Sequence, residues 1–169
     1  MTPCGAALVA VLISLPNRPP GFAEHAAVVA TAIDRATDGT REAASLLTIG
    51  FWESGYQPRI QAGQCEKWEC DPYRGRDGQV HHRARSYYQV WLSPIVPRED
   101  WDRLLGLDQP TVDFASVVAF RVLRRGFRAC GTVTGALSYY AVAKCKWSKV
   151  KRRADFAAWA ERRLGACAK

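Results

Sequence analysis

Apolar residues recur at helical spacing along most of the chain. An apolar first segment ends before the breaker run 16–21, which holds three prolines and a glycine. Later periodic segments predict helices over Phe22–Thr37, Arg41–Glu53, Pro97–Leu105, Thr111–Phe127, Thr132–Lys144 and Asp155–Leu164. The pattern predicts a mainly α fold in a single domain spanning 1–169, because the chain shows no repeat, low-complexity tract or linker.

The predicted helix Arg41–Glu53 is apolar around most of its circumference, so we expect it to be central and buried. Thr40 is its predicted N-cap, and Gly55 and Pro58 end it. Its last residues leave a carboxylate, Glu53, at the edge of the predicted core.

Residues 58–85 lose helical periodicity and are polar and rich in Gly and charge. We predict loops with a small hairpin here, and Ser86–Leu92 is aromatic and β-prone. Irregular segments of this length inside a compact domain are usually functional.

Six cysteines are many for a reduced domain, and the even number permits three disulfides. Buried thiols remain the alternative. The sequence spacing makes two local pairings plausible, and the third would join the chain ends: Cys65–Cys70, Cys130–Cys145 and Cys4–Cys167.

The apolar run 5–13 has about the length of a signal-peptide core, but no Lys or Arg precedes it and no clear cleavage site follows. Pro16 ends it too early for a bilayer span. We therefore expect a first core helix rather than a signal peptide, with delivery outside the cytoplasm by another route such as host lysis or a phage particle.

Net charge is +8, but its distribution is uneven. The segment 121–169 carries a net +11, and the first 120 residues carry −3. A basic C-terminal third favours binding to a polyanion, either nucleic acid, anionic lipid or an anionic wall polymer. A solvated basic surface is the alternative.

The segment 49–58 places Glu53 among aromatic residues at the end of a hydrophobic helix. Partial burial and the negative end of a helix dipole both favour the neutral form of a carboxyl group. A neutral Glu can donate a proton to a leaving oxygen. Glu53 is therefore the candidate general acid, although a Glu that merely solvates a helix end has the same position.

Three blocks resemble the motifs of the lytic transglycosylases and goose-type lysozymes, in the order found there. They are the segments Glu53-Ser54-Gly55-Tyr56-Gln57-Pro58, Arg85-Ser86-Tyr87-Tyr88-Gln89-Val90 and Ala136-Leu137-Ser138-Tyr139-Tyr140-Ala141-Val142-Ala143. The chain departs from the usual pattern where Ser86 and Tyr87 replace Gly residues, and where Ala141 and Ala143 replace Asn and Gly. A divergent member is therefore implied.

The resemblance implies a lysozyme-like α+β domain that acts as a peptidoglycan-cleaving, bacteriolytic glycosidase of the endolysin type, as a monomer without a cofactor or metal. Glu53 is the implied catalytic acid, and Tyr140 is implied to hydrogen-bond it. The implied substrate-binding residues are Ser54, Tyr56, Gln89 and Tyr140. Cleavage would fall at the β-1,4 bond between N-acetylmuramic acid (MurNAc) and N-acetylglucosamine (GlcNAc), giving a 1,6-anhydro end.

Three alternatives stay open. A hydrolytic muramidase calls for a second carboxylate, for which the irregular segment offers Glu66, Glu69, Asp71 and Asp77. A non-catalytic protein of the same fold would bind a wall polymer or nucleic acid through its basic third. A zinc site built from Cys65, Cys70, His81 and His82 does not match the common ligand spacings.

Overall fold

Seven α-helices make up most of residues 2–91 and 96–165, which the computed structural model describes. They are α1 Pro3–Ile13, α2 Phe22–Ala36, α3 Thr40–Ser54, α4 Pro58–Gln61, α5 Gln109–Cys130, α6 Val133–Val142 and α7 Lys151–Leu164. The prediction of a mainly α fold is confirmed.

The irregular segment contains two small antiparallel hairpins. In the first, β1 Pro72–Arg74 pairs with β2 Val80–His82, and in the second, β3 Ala84–Arg85 pairs with β4 Val90–Trp91. A tight turn at residues 86–89 joins β3 to β4. The predicted small hairpin is therefore present, and a second one follows it.

The helix predicted over Pro97–Leu105 is wrong. Two short 3-10 turns, Arg98–Asp100 and Asp102–Leu104, occupy this segment. Leu104 is the buried residue of the two turns, so the segment lacks the apolar stripe that stabilises an α-helix against a core.

Helix α3 lies at the centre of the core, as predicted. It packs most extensively against α7 and also contacts α2, α5 and α6, and Leu46 and Leu47 are fully buried. The prediction that Thr40 caps it is off by one residue, because the N-cap is Gly39 and Thr40 is the first helical residue. Gly55 ends the helix with a left-handed φ of 60°.

The apolar first segment forms α1, which packs on α2 and α7 with Leu8 and Leu12 fully buried. The expected first core helix is therefore present. Within residues 2–91 and 96–165, no helix combines the length and the apolarity that a membrane crossing requires.

Two of the three expected disulfides are present. Cys65–Cys70 closes a short loop before β1, and Cys130–Cys145 joins the end of α5 to the chain beyond α6. The third expected pairing involves Cys167, which lies outside the described residues. Gly126 lets α5 and α6 approach closely, because a Cβ there would lie 2.9 Å from the carbonyl oxygen of Ala136.

Candidate active site

Glu53 occupies the penultimate position of α3, where the buried helix reaches the surface. Its side chain keeps 20% of its accessible surface. Most of the preceding α3 residues are buried, so the core fixes the direction in which this end of the helix points. The sequence-based placement of Glu53 at the edge of the core is correct.

Tyr56 does not line a groove. Its ring is fully buried and packs on Phe22 and Tyr87, with ring centroids 5.5 and 5.4 Å away. Its hydroxyl donates to the carbonyl oxygen of Leu47 at 3.0 Å. The ring also lies against Gly50, where a Cβ would approach it to 2.4 Å. The predicted substrate-binding role of Tyr56 is wrong, because a ring without accessible surface cannot contact a glycan.

Ser54 is also committed to the fold. Its side chain is buried, its hydroxyl donates to the Gly50 carbonyl oxygen at 3.1 Å, and its oxygen accepts from the backbone N–H of Tyr56 at 3.1 Å. These two bonds hold the turn that follows α3. The structure therefore assigns the Ser54 hydroxyl to shaping this turn, which positions Glu53, rather than to the expected substrate contact.

The partner of Glu53 is Arg153, from the first turn of α7. Its Nη1 donates to Glu53 Oε1, and the Arg153 side chain is only 13% exposed. The guanidinium lies 5.9 Å from the centre of the Trp52 ring and 5.2 Å from the centre of the Trp147 ring, so it contacts two aromatic side chains. Such contacts stabilise a cation that has lost much of its hydration. From the sequence, Arg153 is only one cation of the basic segment 121–169, and its ion pair with Glu53 is not apparent.

Tyr140 faces the same space but bonds differently from expectation. Its hydroxyl donates to the main-chain carbonyl oxygen of Tyr88 at 2.9 Å, not to Glu53. Burial, and secondarily the nearby charge of Glu53, raise the pKa of Tyr140 well above its ordinary value. The hydroxyl therefore stays protonated at physiological pH and ties α6 to the β3–β4 turn, while the expected bond to Glu53 is absent.

A cavity of about 680 Å³, the central cavity, opens beside Glu53. Its walls come from the end of α3, the hairpin segment, α5 and the end of α6, and they include Glu53, Asp71, Gln89, Trp91, Tyr140 and Val142. The three sequence blocks therefore meet at one cavity, through Glu53, Gln89 and Tyr140.

Gln89 separates the central cavity from a smaller neighbour. It has a left-handed φ of 50°, and its amide donates to the Ser86 carbonyl oxygen at 3.1 Å, so the turn fixes its side chain. Glu53 and Gln89 line both the central cavity and this neighbour of about 340 Å³, the Trp68 cavity. Gln89 therefore lies on a wall beside Glu53, and its expected role in substrate binding stays a prediction.

A third space, the arginine cavity of about 830 Å³, adjoins the other side and shares Ala84 and Trp91 with the central cavity. The three adjacent cavities form what we call the groove, with Glu53 between two of them. Seven large hydrophobic side chains are exposed in the described residues, and six line the groove: Trp52, Trp68, Tyr73, Val80, Trp91 and Val142. Exposed rings gathered along one groove are typical of a ligand site rather than of an ordinary protein surface.

The four carboxylates considered as a second catalytic group differ in their partners, and three of them pair with a basic side chain. Both oxygens of Glu69 accept from Arg59, at 2.5 and 2.6 Å, and this guanidinium lowers the pKa of Glu69. Glu66 lies 3.7 Å from the same guanidinium, and Asp77 pairs with His81 at 2.8 Å.

Asp71 is different, because it lines the central cavity with Glu53 and its Oδ2 is buried with no hydrogen-bond partner among the described residues. Its backbone has a left-handed φ of 51°, an uncommon conformation for a residue with a side chain. Of the four, Asp71 alone shares the central cavity.

The disulfide between Cys65 and Cys70 rules out the zinc site considered from the sequence, because a metal ligand must be a free thiolate. In the described residues no other group of three or more His, Cys, Asp or Glu side chains is placed to hold a metal ion. Comparisons of the chain with models of protein families, with curated proteins and with solved structures found no match.

Proposed function

We propose that the protein has a lysozyme-like fold and cleaves glycan strands of bacterial peptidoglycan at the MurNAc–GlcNAc β-1,4 bond. The observation that carries this proposal is the position of Glu53. It lies where a buried helix ends, between two cavities of a groove that gathers the four exposed aromatic side chains of the described residues. Aromatic faces along a cleft and a carboxyl group between two of its cavities fit an extended sugar chain.

If the protein is a lytic transglycosylase, Glu53 donates its proton to the glycosidic oxygen, and the C1–O bond breaks as GlcNAc leaves. The Glu53 carboxylate then takes the proton of the muramyl C6 hydroxyl, whose oxygen bonds to C1 and closes the 1,6-anhydro ring. One carboxyl completes the cycle, because the proton that it lost is returned by the substrate.

Arg153 has a distinct effect on each half of this cycle. A guanidinium favours the charged carboxylate, so the resting ion pair matches the state of Glu53 that is needed in the second step. The first step needs a protonated Glu53. We infer that a bound glycan separates the two side chains before the proton is delivered.

The hydrolytic alternative keeps a specific observation in its favour, which is Asp71. Hydrolysis with inversion uses a second carboxylate that activates water on the opposite face of the sugar ring. Asp71 lines the same cavity as Glu53, and one of its carboxylate oxygens has no hydrogen-bond partner among the residues that the structure describes. In that mechanism Glu53 remains the acid and Asp71 is the base.

Product analysis separates the two reactions. Purified peptidoglycan is incubated with wild-type protein, Glu53→Gln and Asp71→Asn, and the soluble fragments are identified by mass spectrometry. A transglycosylase gives anhydro ends that disappear with Glu53→Gln but persist with Asp71→Asn. A hydrolase gives reducing ends that disappear with both.

Glu24→Gln is the matched control, since Glu24 is exposed on α2, away from the groove-lining residues. Release that is unchanged by Glu53→Gln contradicts the proposal. We further propose that the protein acts as a monomer outside the cytoplasm, where its substrate lies.

A non-catalytic polyanion binder remains the second candidate, favoured by the exposed cations of the C-terminal third. The exposed members of the basic run around Trp147 are Lys144, Lys146, Lys149, Lys151 and Arg152. A binder of this kind loses affinity steeply with salt and is indifferent to Glu53→Gln. The same surface, on an active enzyme, is our proposed contact with anionic wall polymer.

A further inference from the structure

The arginine cavity carries more positive charge than the proposed cleavage requires. Three guanidinium groups and two imidazoles line it: Arg83, Arg85, Arg98, His81 and His82. Asp102 is the one carboxylate in this lining, and it pairs with Arg85. A concave surface with this imbalance attracts an anionic group.

Two of the guanidinium groups, those of Arg83 and Arg98, have no carboxylate partner within the described part of the chain. That of Arg83 lies 4.6 Å from the centre of the Tyr73 ring, which orients it without neutralising it. The imidazoles are already engaged, since His81 bonds Asp77 and His82 bonds the Glu69 carbonyl oxygen at 2.8 Å. The two unpaired guanidinium groups are therefore the candidates for binding an anion in this cavity.

We propose that Arg83 and Arg98 bind carboxylates of the stem peptide carried by the muramyl residue next to the cleaved bond. This inference rests on the proposed cleavage of peptidoglycan. The arginine cavity shares Ala84 and Trp91 with the central cavity, so a group bound there lies one wall residue away from the space beside Glu53. In peptidoglycan the stem peptide is attached to the lactyl group of the muramyl residue. Its carboxylates are therefore the regularly repeated anions nearest to the bond that is cleaved. Planar guanidinium groups bind carboxylates through paired N–H donors.

Phosphate from a wall polymer is an anion like the stem-peptide carboxylates, but it is a less suitable ligand for the arginine cavity. Such polymers are joined to sparse muramyl residues through the C6 oxygen, and the transglycosylase step needs that oxygen free. A stem peptide leaves C6 open, so the same muramyl residue can be held by its peptide and cleaved beside Glu53.

The test compares glycan strands that keep their stem peptides with the same strands after removal of the peptides by an amidase. We expect wild-type protein to have a kcat/KM about tenfold higher on the peptide-bearing strands, as two exposed charge contacts provide. Arg83→Gln/Arg98→Gln removes this preference, because kcat/KM on the peptide-bearing strands falls to the level measured for the bare strands. Arg121→Gln/Arg125→Gln, which removes two exposed charges from α5, retains the preference. Thermal unfolding verifies that each variant is folded.

Sedimentation of Glu53→Gln protein with the two strand preparations makes the test independent of catalysis. Tighter binding to peptide-bearing strands supports the inference if the added Arg83→Gln/Arg98→Gln substitutions abolish it. If this binding is observed but the wild-type protein cleaves no strand, only the proposed cleavage fails. Equal binding to both preparations overturns the inference. A preference that depends on attached wall-polymer phosphate instead, and disappears after its removal by acid, also overturns it.

Discussion

The two walls of the central cavity are built on different physical principles. On the helical wall, Glu53 ends a helix whose buried residues fix its position, and its charge is paired with Arg153. On the hairpin wall, Asp71 lies in a short connection between Cys70 and β1, and one of its oxygens is buried and has no hydrogen-bond partner within residues 2–91 and 96–165. The comparison shows that packing and charge pairing stabilise one carboxylate, whereas the other is held in an unfavourable setting by covalent and ionic links around it.

Those links are local to the hairpin wall. The Cys65–Cys70 disulfide and the ion pair between Arg59 and Glu69 enclose the loop that leads to Asp71. Few apolar residues contribute, since the core cluster here contains Ile60, Cys70 and Ala84, with Cys65 packed against it. A small apolar cluster contributes little to stability, so this wall depends on its cross-links.

The largest expected effect is on the helical wall, with Gly50→Ala. The added Cβ would lie 2.4 Å from the buried Tyr56 ring, and the ring has no room to move because Phe22 and Tyr87 pack against it. We expect the free energy of unfolding to fall by about 3 kcal/mol, measured by urea denaturation. The control is Gly39→Ala, where a Cβ meets nothing within 4 Å and which should cost less than about 1 kcal/mol. Equal losses for the two variants would show that Tyr56 does not pack as described.

The next effect tests the ion pair. Arg153→Gln leaves the Glu53 charge largely buried without its partner, and we expect a loss of about 2 kcal/mol in the free energy of unfolding at pH 7. Adding Glu53→Gln should restore more than half of this loss, because no unpaired charge remains. A double-mutant cycle measures the coupling. Additive effects of the two substitutions would contradict a direct pair.

A smaller effect is expected from pH on the hairpin wall. The hydrogen bond from Arg59 lowers the pKa of Glu69 below 4.5, so the folded state binds this proton less readily than the unfolded state. The stabilisation is therefore complete above about pH 4.5 and is lost as the pH falls through the lowered pKa. We expect about 1 kcal/mol. The measurement is urea unfolding of wild type and Glu69→Gln between pH 7 and 3. The difference between the two proteins should be constant at the upper end and shrink in acid; a difference that grows in acid would contradict the assigned cause.

The helical wall of the central cavity was easier to predict from the sequence than the contacts of its site residues. The buried helix α3, its end at Gly55 and the position of Glu53 follow from hydrophobic periodicity and a helix stop signal, which are local properties of the chain. The lysozyme-like identity of the fold remains a prediction. The helix prediction fails for Pro97–Leu105, because Leu104 is the buried residue of its two turns and no apolar face supports an α-helix there.

The contacts of the site residues could not be predicted from local sequence patterns, because their partners are distant in the chain. Arg153 lies 100 positions from Glu53, and nothing in its sequence neighbourhood distinguishes it from the solvated cations beside it. Tyr56 was misassigned because a motif position says nothing about burial, which depends on Gly50 and on the distant Phe22. A hint was available, since a Gly within an apolar helix often marks a close approach by another group.

The smallest expected effect has the most direct bearing on the comparison between the two walls. Asp71→Asn removes the charge of a carboxylate whose buried oxygen lacks a hydrogen-bond partner in the described part of the chain. We therefore expect the free energy of unfolding to rise by about 0.5 kcal/mol. Asp155→Asn, at an exposed carboxylate paired with Lys151, is the control and should change it by less than about 0.5 kcal/mol in either direction. Urea denaturation at pH 7 gives both values. A loss of more than about 1 kcal/mol for Asp71→Asn would make Asp71 a structural residue of the loop. A gain in stability that accompanies loss of glycan hydrolysis would instead show that the hairpin wall retains an unfavourable carboxylate because the reaction needs it.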